Sequence, residues 1–200
     1  MPYPSVDGPY GLVPVNLIGG QVFAGATRSI PIATNSSTAI FFGDVVKLNS
    51  SGTLDKDTGT NTATPVGVFL GCSYTDPVFG KTFRQFYPGT TNITDVVAYV
   101  QDDPDALYKA AVCTAGSTTI SFVTRANVGE NSALVQNAGS TVNGDSRVAI
   151  SATCATASTL PVRIIDVVPE TSPAGFPGSY TEVIVKWNQG MHPYLNPTGV

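Results

Sequence analysis

Val66-Gly67-Val68-Phe69-Leu70-Gly71-Cys72 is an apolar run of strand length. Its two interior glycines mark a bulge or a place where another backbone comes close. Similar runs return at 162–168 and 180–187, where apolar residues alternate or follow one another over lengths typical of sandwich strands. Between them the punctuation is that of a β protein. Residues 21–32 read as an edge strand, since Pro31 removes a ladder donor. Residues 41–48 form a β-branched run entered by a Gly43-Asp44 turn. Residues 49–64 read as a hairpin with a long loop, with Ser51-Gly52 and Thr58-Gly59 as turn signals. Further strands are expected at 82–87, 95–101, 118–124 and 147–150, with loops at 139–144 and 171–178. Residues 103–109 fit two readings, a short helix capped by Asp103 with Pro104 at its first position or a strand running into Ala110-Ala111-Val112; strand is preferred.

Composition agrees with these segments. Charged residues make up 12%, roughly half the usual share of about 25%. Ser, Thr and Asn supply the polarity, and 20 glycines with 15 prolines leave little helix-favouring sequence. The 10 Lys plus Arg are scattered and the net charge is −4, which argues against a phosphate-tracking surface for nucleic acid. No apolar run reaches the roughly 18 residues of a membrane span, and the N-terminus lacks a signal-peptide pattern, so synthesis in a reducing cytoplasm is expected. Cys72, Cys113 and Cys154 are odd in number and widely spaced, hence expected to be unpaired thiols.

Residues 1–20 carry Pro2, Pro4, Pro9 and Pro14 among four glycines and read as an extended, polyproline-like arm. Residues 189–200, with Pro193 and Pro197, read as a C-terminal tail. The body then spans 21–188, as one unit or as two subdomains with a break near 113–118. Arms on a compact body suit a subunit of an assembly. Tyr3, Tyr10 and Tyr194 have no core of their own in such arms and are candidate anchors in a neighbour, with Leu12, Val13 and Leu17 covering apolar surface beside them. On this reading, deleting 1–20 leaves the body folded.

Candidate chemistry is sparse. His192, the single histidine, stands between Met191 and Pro193 and is poorly placed to serve as a rigidly held base. Asp102, Asp103 and Asp105 around Pro104 read as a strand-ending turn before they read as an acid–base pair. Asp55-Lys56-Asp57-Thr58-Gly59 lacks the remaining ligands of a Ca²⁺ loop. No cofactor, metal or catalytic set is expected, and the strand aromatics, Trp187 included, are expected mainly in the core.

Several segments resemble the head-decoration, or cement, proteins of tailed bacteriophages. They are Tyr10-Gly11-Leu12-Val13-Pro14-Val15-Asn16-Leu17-Ile18-Gly19-Gly20 with 41–48, and Thr64-Pro65-Val66-Gly67-Val68-Phe69-Leu70-Gly71. A third is Val128-Gly129-Glu130-Asn131 followed by 146–150 and Leu160-Pro161-Val162-Arg163-Ile164-Ile165. The resemblance implies a non-enzymatic, β-rich clamp on the outer capsid of a virion, binding the major capsid protein, commonly as a homotrimer at local three-fold positions. It implies no partner in nucleic acid or membrane. The fold expected is all-β: one or two small β-barrel or β-sandwich (β-tulip-like) units with extended N- and C-terminal arms. A different virion β protein, tail- or fibre-associated or binding glycans through Trp187, is the alternative, and a wall hydrolase using Asp102 or Asp103 the third reading.

Overall fold

The computed structural model describes residues 6–90, 92–188 and 190–198. Among these there are fourteen strands, two short 3-10 turns and no α-helix. The protein is all-β.

Six strands form the first sheet: β1 (Val13–Leu17), β8 (Ala106–Cys113), β10 (Asn131–Val135), β11 (Ala149–Ala155), β12 (Val162–Val167) and β14 (Glu182–Trp187). The order β8-β11-β10-β12-β14 returns to β8, closing a five-stranded barrel with β1 attached to β8. The length of β8 makes this possible. One of its edges pairs β14 over Tyr108–Ala111; the other pairs β1 over Ala106–Lys109 and then β11, in parallel, at Val112 and Cys113. In β14 the period-two pattern points Val183, Val185 and Trp187 inward. They meet Tyr108, Ala110, Val112, Leu134, Ile150, Val162 and Ile164, which are all nearly inaccessible.

The second sheet contains β2 (Arg28–Pro31), β3 (Val45–Leu48), β4 (Leu54–Lys56), β5 (Gly67–Asp76), β6 (Gly80–Arg84) and β7 (Val97–Gln101), ordered β2-β7-β5-β3-β4 with β6 on β5. β2 is its edge, as Pro31 required. β9 (Val123–Thr124) and β13 (Ser179–Tyr180) form a separate ribbon. Both glycines of the opening run have their reasons. A Cβ on Gly67 would lie 2.0 Å from the Gln101 carbonyl oxygen, and Gly71 has φ +146° at a register shift in the β5–β7 pairing. Val45 and Val46 are adjacent and both fully buried, so β3 is covered on both faces: Val46 joins Ile30, Leu54, Phe69 and Tyr74, while Val45 and Val68 join the barrel core.

A buried polar knot ties the sheets together. Asp44, with no exposed surface, accepts from Phe41 N (2.9 Å), Lys56 Nζ (2.7 Å) and Ser146 Oγ (2.6 Å). Beside it Leu12 N donates to Gly43 O (3.0 Å) and Gly11 N to Val148 O (3.1 Å). Gly11 is fixed here by space and conformation: φ is +87°, and a Cβ would sit 2.8 Å from the Gly43 oxygen.

Two expectations are corrected. Within the segment 1–20, residues 11–17 are no free polyproline arm, because Leu12 is fully buried in the barrel core and residues 13–17 form a ladder on β8. Pro14 fits because β1 lies outside the closed ring and shifts register between Pro14 and Asn16. The change of sheet comes between Gln101 and Ala106, not near 113–118, since β8 runs unbroken to Cys113 in the barrel. Residues 103–109 turn and enter β8, which decides the helix–strand alternative for the strand.

Candidate functional site

The residue types singled out for chemistry are occupied with architecture. Asp103 Oδ1 accepts from Asp105 N (2.8 Å) and its carbonyl accepts from Ala106 N, the turn reading of this cluster. Asp57 Oδ1 and Oδ2 accept from Gly59 N and Thr64 N, pinning the loop that leaves β4. No group of three or more His, Cys, Asp or Glu side chains arranged to hold a metal occurs among the described residues. The three cysteines are free. Burial pushes the Cys72 thiol up to about 12 and that of Cys113 to about 11, so neither is a ready nucleophile. Trp187 is 3% exposed and packs on Tyr108 with ring centroids 5.2 Å apart, which removes it as a stacking platform for a sugar.

The feature that stands out is the meeting of the two chain ends on one face. After β1 the chain doubles back: Leu17 N donates to Gln21 O (2.8 Å), Val22 bridges to Asn16, and Ile18 N donates to Asp105 O (2.9 Å). From the other end, the Asn188 side chain donates to the carbonyls of Ser158 and Leu160 (3.0 Å each). His192 O accepts from Leu195 N and Asn196 N (both 3.0 Å), which curls the tail back onto the body. Two clefts result. One, of about 300 Å³, lies between Ile18 and Leu195 over Arg163, Ile165 and Lys186. The other, of about 430 Å³, is lined by Leu17, Val22, Phe23, Arg28, Asp102 and Asp103.

A polar cluster holds the tail in place. Tyr194 OH donates to Asp102 Oδ2 (2.9 Å), which also receives Arg28 Nε (2.8 Å). The Arg28 guanidinium stands 5.1 Å from the Tyr194 ring centre, and the Tyr194 and His192 rings meet edge-on at 4.8 Å. His192 is fully buried, with Nδ1 accepting from Tyr194 N (3.3 Å). Burial lowers its pKa, partly opposed by the Val66 and Asp102 carbonyls and the Asp102 and Asp103 carboxylates. An imidazole with no accessible surface positions the tail; it cannot exchange protons with a bound ligand.

Of the expected anchors, Tyr3 lies outside the described residues. Tyr10 is partly buried and donates its hydroxyl to Glu182, which also pairs with Lys109 Nζ at 3.4 Å; burial first, then this carboxylate, raises the phenol pKa. Leu12 is core and unavailable to a partner, while Val13 and Leu17 are partly buried on β1. Tyr194 remains 44% exposed on the face just described. Sequence reasoning missed Ile18, Val22 and Leu195, which line the clefts of this face and are 45–76% exposed. Nothing local signals that Ile18 and Leu195 meet. No family model, no curated protein and no solved structure matches the chain.

Proposed function

We propose that this chain is a non-enzymatic structural protein that binds the outer surface of a tailed-phage capsid and cements neighbouring major capsid subunits, stabilising the DNA-filled head. The observation that carries the reading is the convergence of exposed apolar side chains from both chain ends, Ile18 and Val22 with Tyr194 and Leu195, on one face. The sequence resemblance supplies the kind of partner. Tyr194 is held ready by Asp102 and Arg28, so docking costs it little rotamer freedom, the property expected of an anchor. The low charge of the chain suits a crowded shell, where large like-charge fields would repel neighbours. A ligand that binds only the assembled shell stabilises it by RT ln(1 + [L]/Kd), and contacts to two subunits at once gain by effective concentration.

Co-sedimentation with empty capsids stripped of decoration tests this. Ile18→Asp combined with Leu195→Asp should weaken binding at least about 30-fold, the loss of one hot-spot's worth of free energy, while leaving the fold intact. Wild-type occupancy by this variant, or no binding by the parent chain, refutes the reading.

A further inference from the structure

On the outer wall of the barrel, Arg163 of β12 stands directly across from Lys186 of β14. Cross-strand partners have Cβ atoms about 5 Å apart, and like charges placed so repel. Asp105 answers only one of them, its carboxylate taking Lys186 Nζ at 2.5 Å. Arg163 has no acidic partner among the described residues. Its Nε donates to the Asn131 side-chain oxygen (2.9 Å), a neutral acceptor. That bond fixes the guanidinium plane and leaves the terminal N–H groups uncommitted.

Both cations line the cleft of about 300 Å³ between Ile18 and Leu195, with Ile165 completing its apolar side. Ile18 and Leu195 are 45% and 49% exposed, so the apolar walls are open to a partner. With Asp105 counted, the cleft keeps a positive charge in excess. The neighbouring cleft has the opposite balance, Arg28 against Asp102 and Asp103. An anionic group is therefore drawn to the first cleft and turned away from the second.

We infer that the Ile18–Leu195 cleft receives an acidic side chain from a segment of a partner protein, with an aliphatic neighbour of that acid lying between Ile18 and Leu195. The inference rests on the reading that this face docks a partner, and it adds the chemistry of what docks. A guanidinium held through Nε presents a planar fork of donors to a carboxylate. The same carboxylate relieves the repulsion between Arg163 and Lys186, since its charge acts on both. The apolar walls select further. They gain by covering an aliphatic chain, whereas a small hydrated anion such as phosphate would give up its water there without that return.

Titration of the isotope-labelled full chain, followed by NMR, tests the inference with three probes: isovalerate, its uncharged amide isovaleramide, and inorganic phosphate. Isovalerate should give saturable shifts at Ile18, Leu195 and Arg163, with an affinity at least about 10-fold above that of the amide. Arg163→Gln should lose this preference and Arg163→Lys should keep it. Both variants lose the Nε bond to Asn131, so the difference between them reads the charge rather than the packing. Arg163 is exposed, and unchanged far-UV circular dichroism confirms that each variant folds. Equal affinity for acid and amide, no saturable shift at the cleft, or the same shifts with phosphate overturns the inference. So do shifts that grow with protein concentration alone, which would assign the cleft to a second copy. Co-sedimentation with stripped capsids separates this inference from the reading beneath it. Arg163→Gln should bind at least about 30-fold more weakly than the parent, and Arg163→Lys close to it. Equal binding by Arg163→Gln and the parent removes the acidic segment while docking stands. A parent that does not bind removes the capsid, and the probe titration then decides the cleft.

Discussion

Replacing Leu12 by alanine tests whether the N-terminal segment belongs to the barrel. Leu12 has no exposed surface and packs in the barrel core. Leu→Ala at such sites costs about 2.7–5 kcal/mol, the upper end applying where the walls cannot close on the cavity. Here they are held: Gly11 and Leu12 are hydrogen-bonded to Val148 and Gly43, and the Gly11 and Gly43 backbones already touch. A loss of about 4 kcal/mol is therefore expected. With a urea m-value of about 2 kcal/mol/M, that moves the unfolding midpoint down by about 2 M. Val142→Ala, at a position 96% exposed, is the control and should leave the midpoint in place. Equilibrium urea denaturation followed by tryptophan fluorescence reads both, since Trp187 lies in the same core. A Leu12→Ala shift below about 0.5 M with unchanged m would refute the reasoning and restore the dispensable arm. Deleting residues 1–20 goes further, taking β1 with it and leaving the nearly buried Glu182 without Tyr10, so that chain should lose cooperative folding.

Two other outcomes are expected. Asp44→Ala strands Lys56 and Ser146 in the interior and should cost about 3–5 kcal/mol, whereas Asp44→Asn, which keeps an acceptor oxygen for Phe41 N and turns its NH2 as a donor toward Ser146 Oγ, should cost less; equal urea midpoints for the two would count against any contribution from these hydrogen bonds beyond the carboxylate charge. His192 has a folded-state pKa below its usual 6.5, so the unfolded chain binds the proton more readily and stability should fall as pH drops below about 6.5. Thermal melts of His192→Gln should show a flatter pH dependence than the parent between pH values of about 7.5 and 5, and an identical slope would remove His192 as the source.

The strands that sequence reading located best are those whose burial is itself periodic or continuous. The run beginning at Val66 became β5, 180–187 contained β14, and Pro31 marked an edge that is an edge. Two strands escaped. β1 was hidden by prolines that are costly inside a sheet but tolerable on a strand outside the closed ring. β10 begins with Asn131 and Ser132, which look like loop residues yet are buried. Asn131 accepts from Arg163 Nε (2.9 Å) and donates to Ala157 O (3.0 Å), and Ser132 donates to Ser151 O (2.7 Å). Their partners lie 19–32 residues away, beyond any local pattern. The same distance problem governs the candidate face. Tyr194 could be named as an exposed aromatic, but its pairing with Asp102, 92 positions earlier, is a product of the tertiary fold.

The contact between Tyr10 and Glu182 joins residues 172 positions apart, and this sets a timetable for the chain during its synthesis. At about 5–20 residues per second the ribosome needs on the order of 10–30 s to progress from one to the other. Throughout that interval β1 has no β14-closed barrel to join, and even its own partner β8 begins only at Ala106. The second sheet draws all six strands from residues 28–101 and can pair while translation continues. The barrel must wait for the last strand, because β14 supplies the seam with β8 that closes the ring. A nascent chain halted before residue 182 should thus expose the β14-facing edge of β8 to chaperones, and the arrival of β14 is the event that seals it.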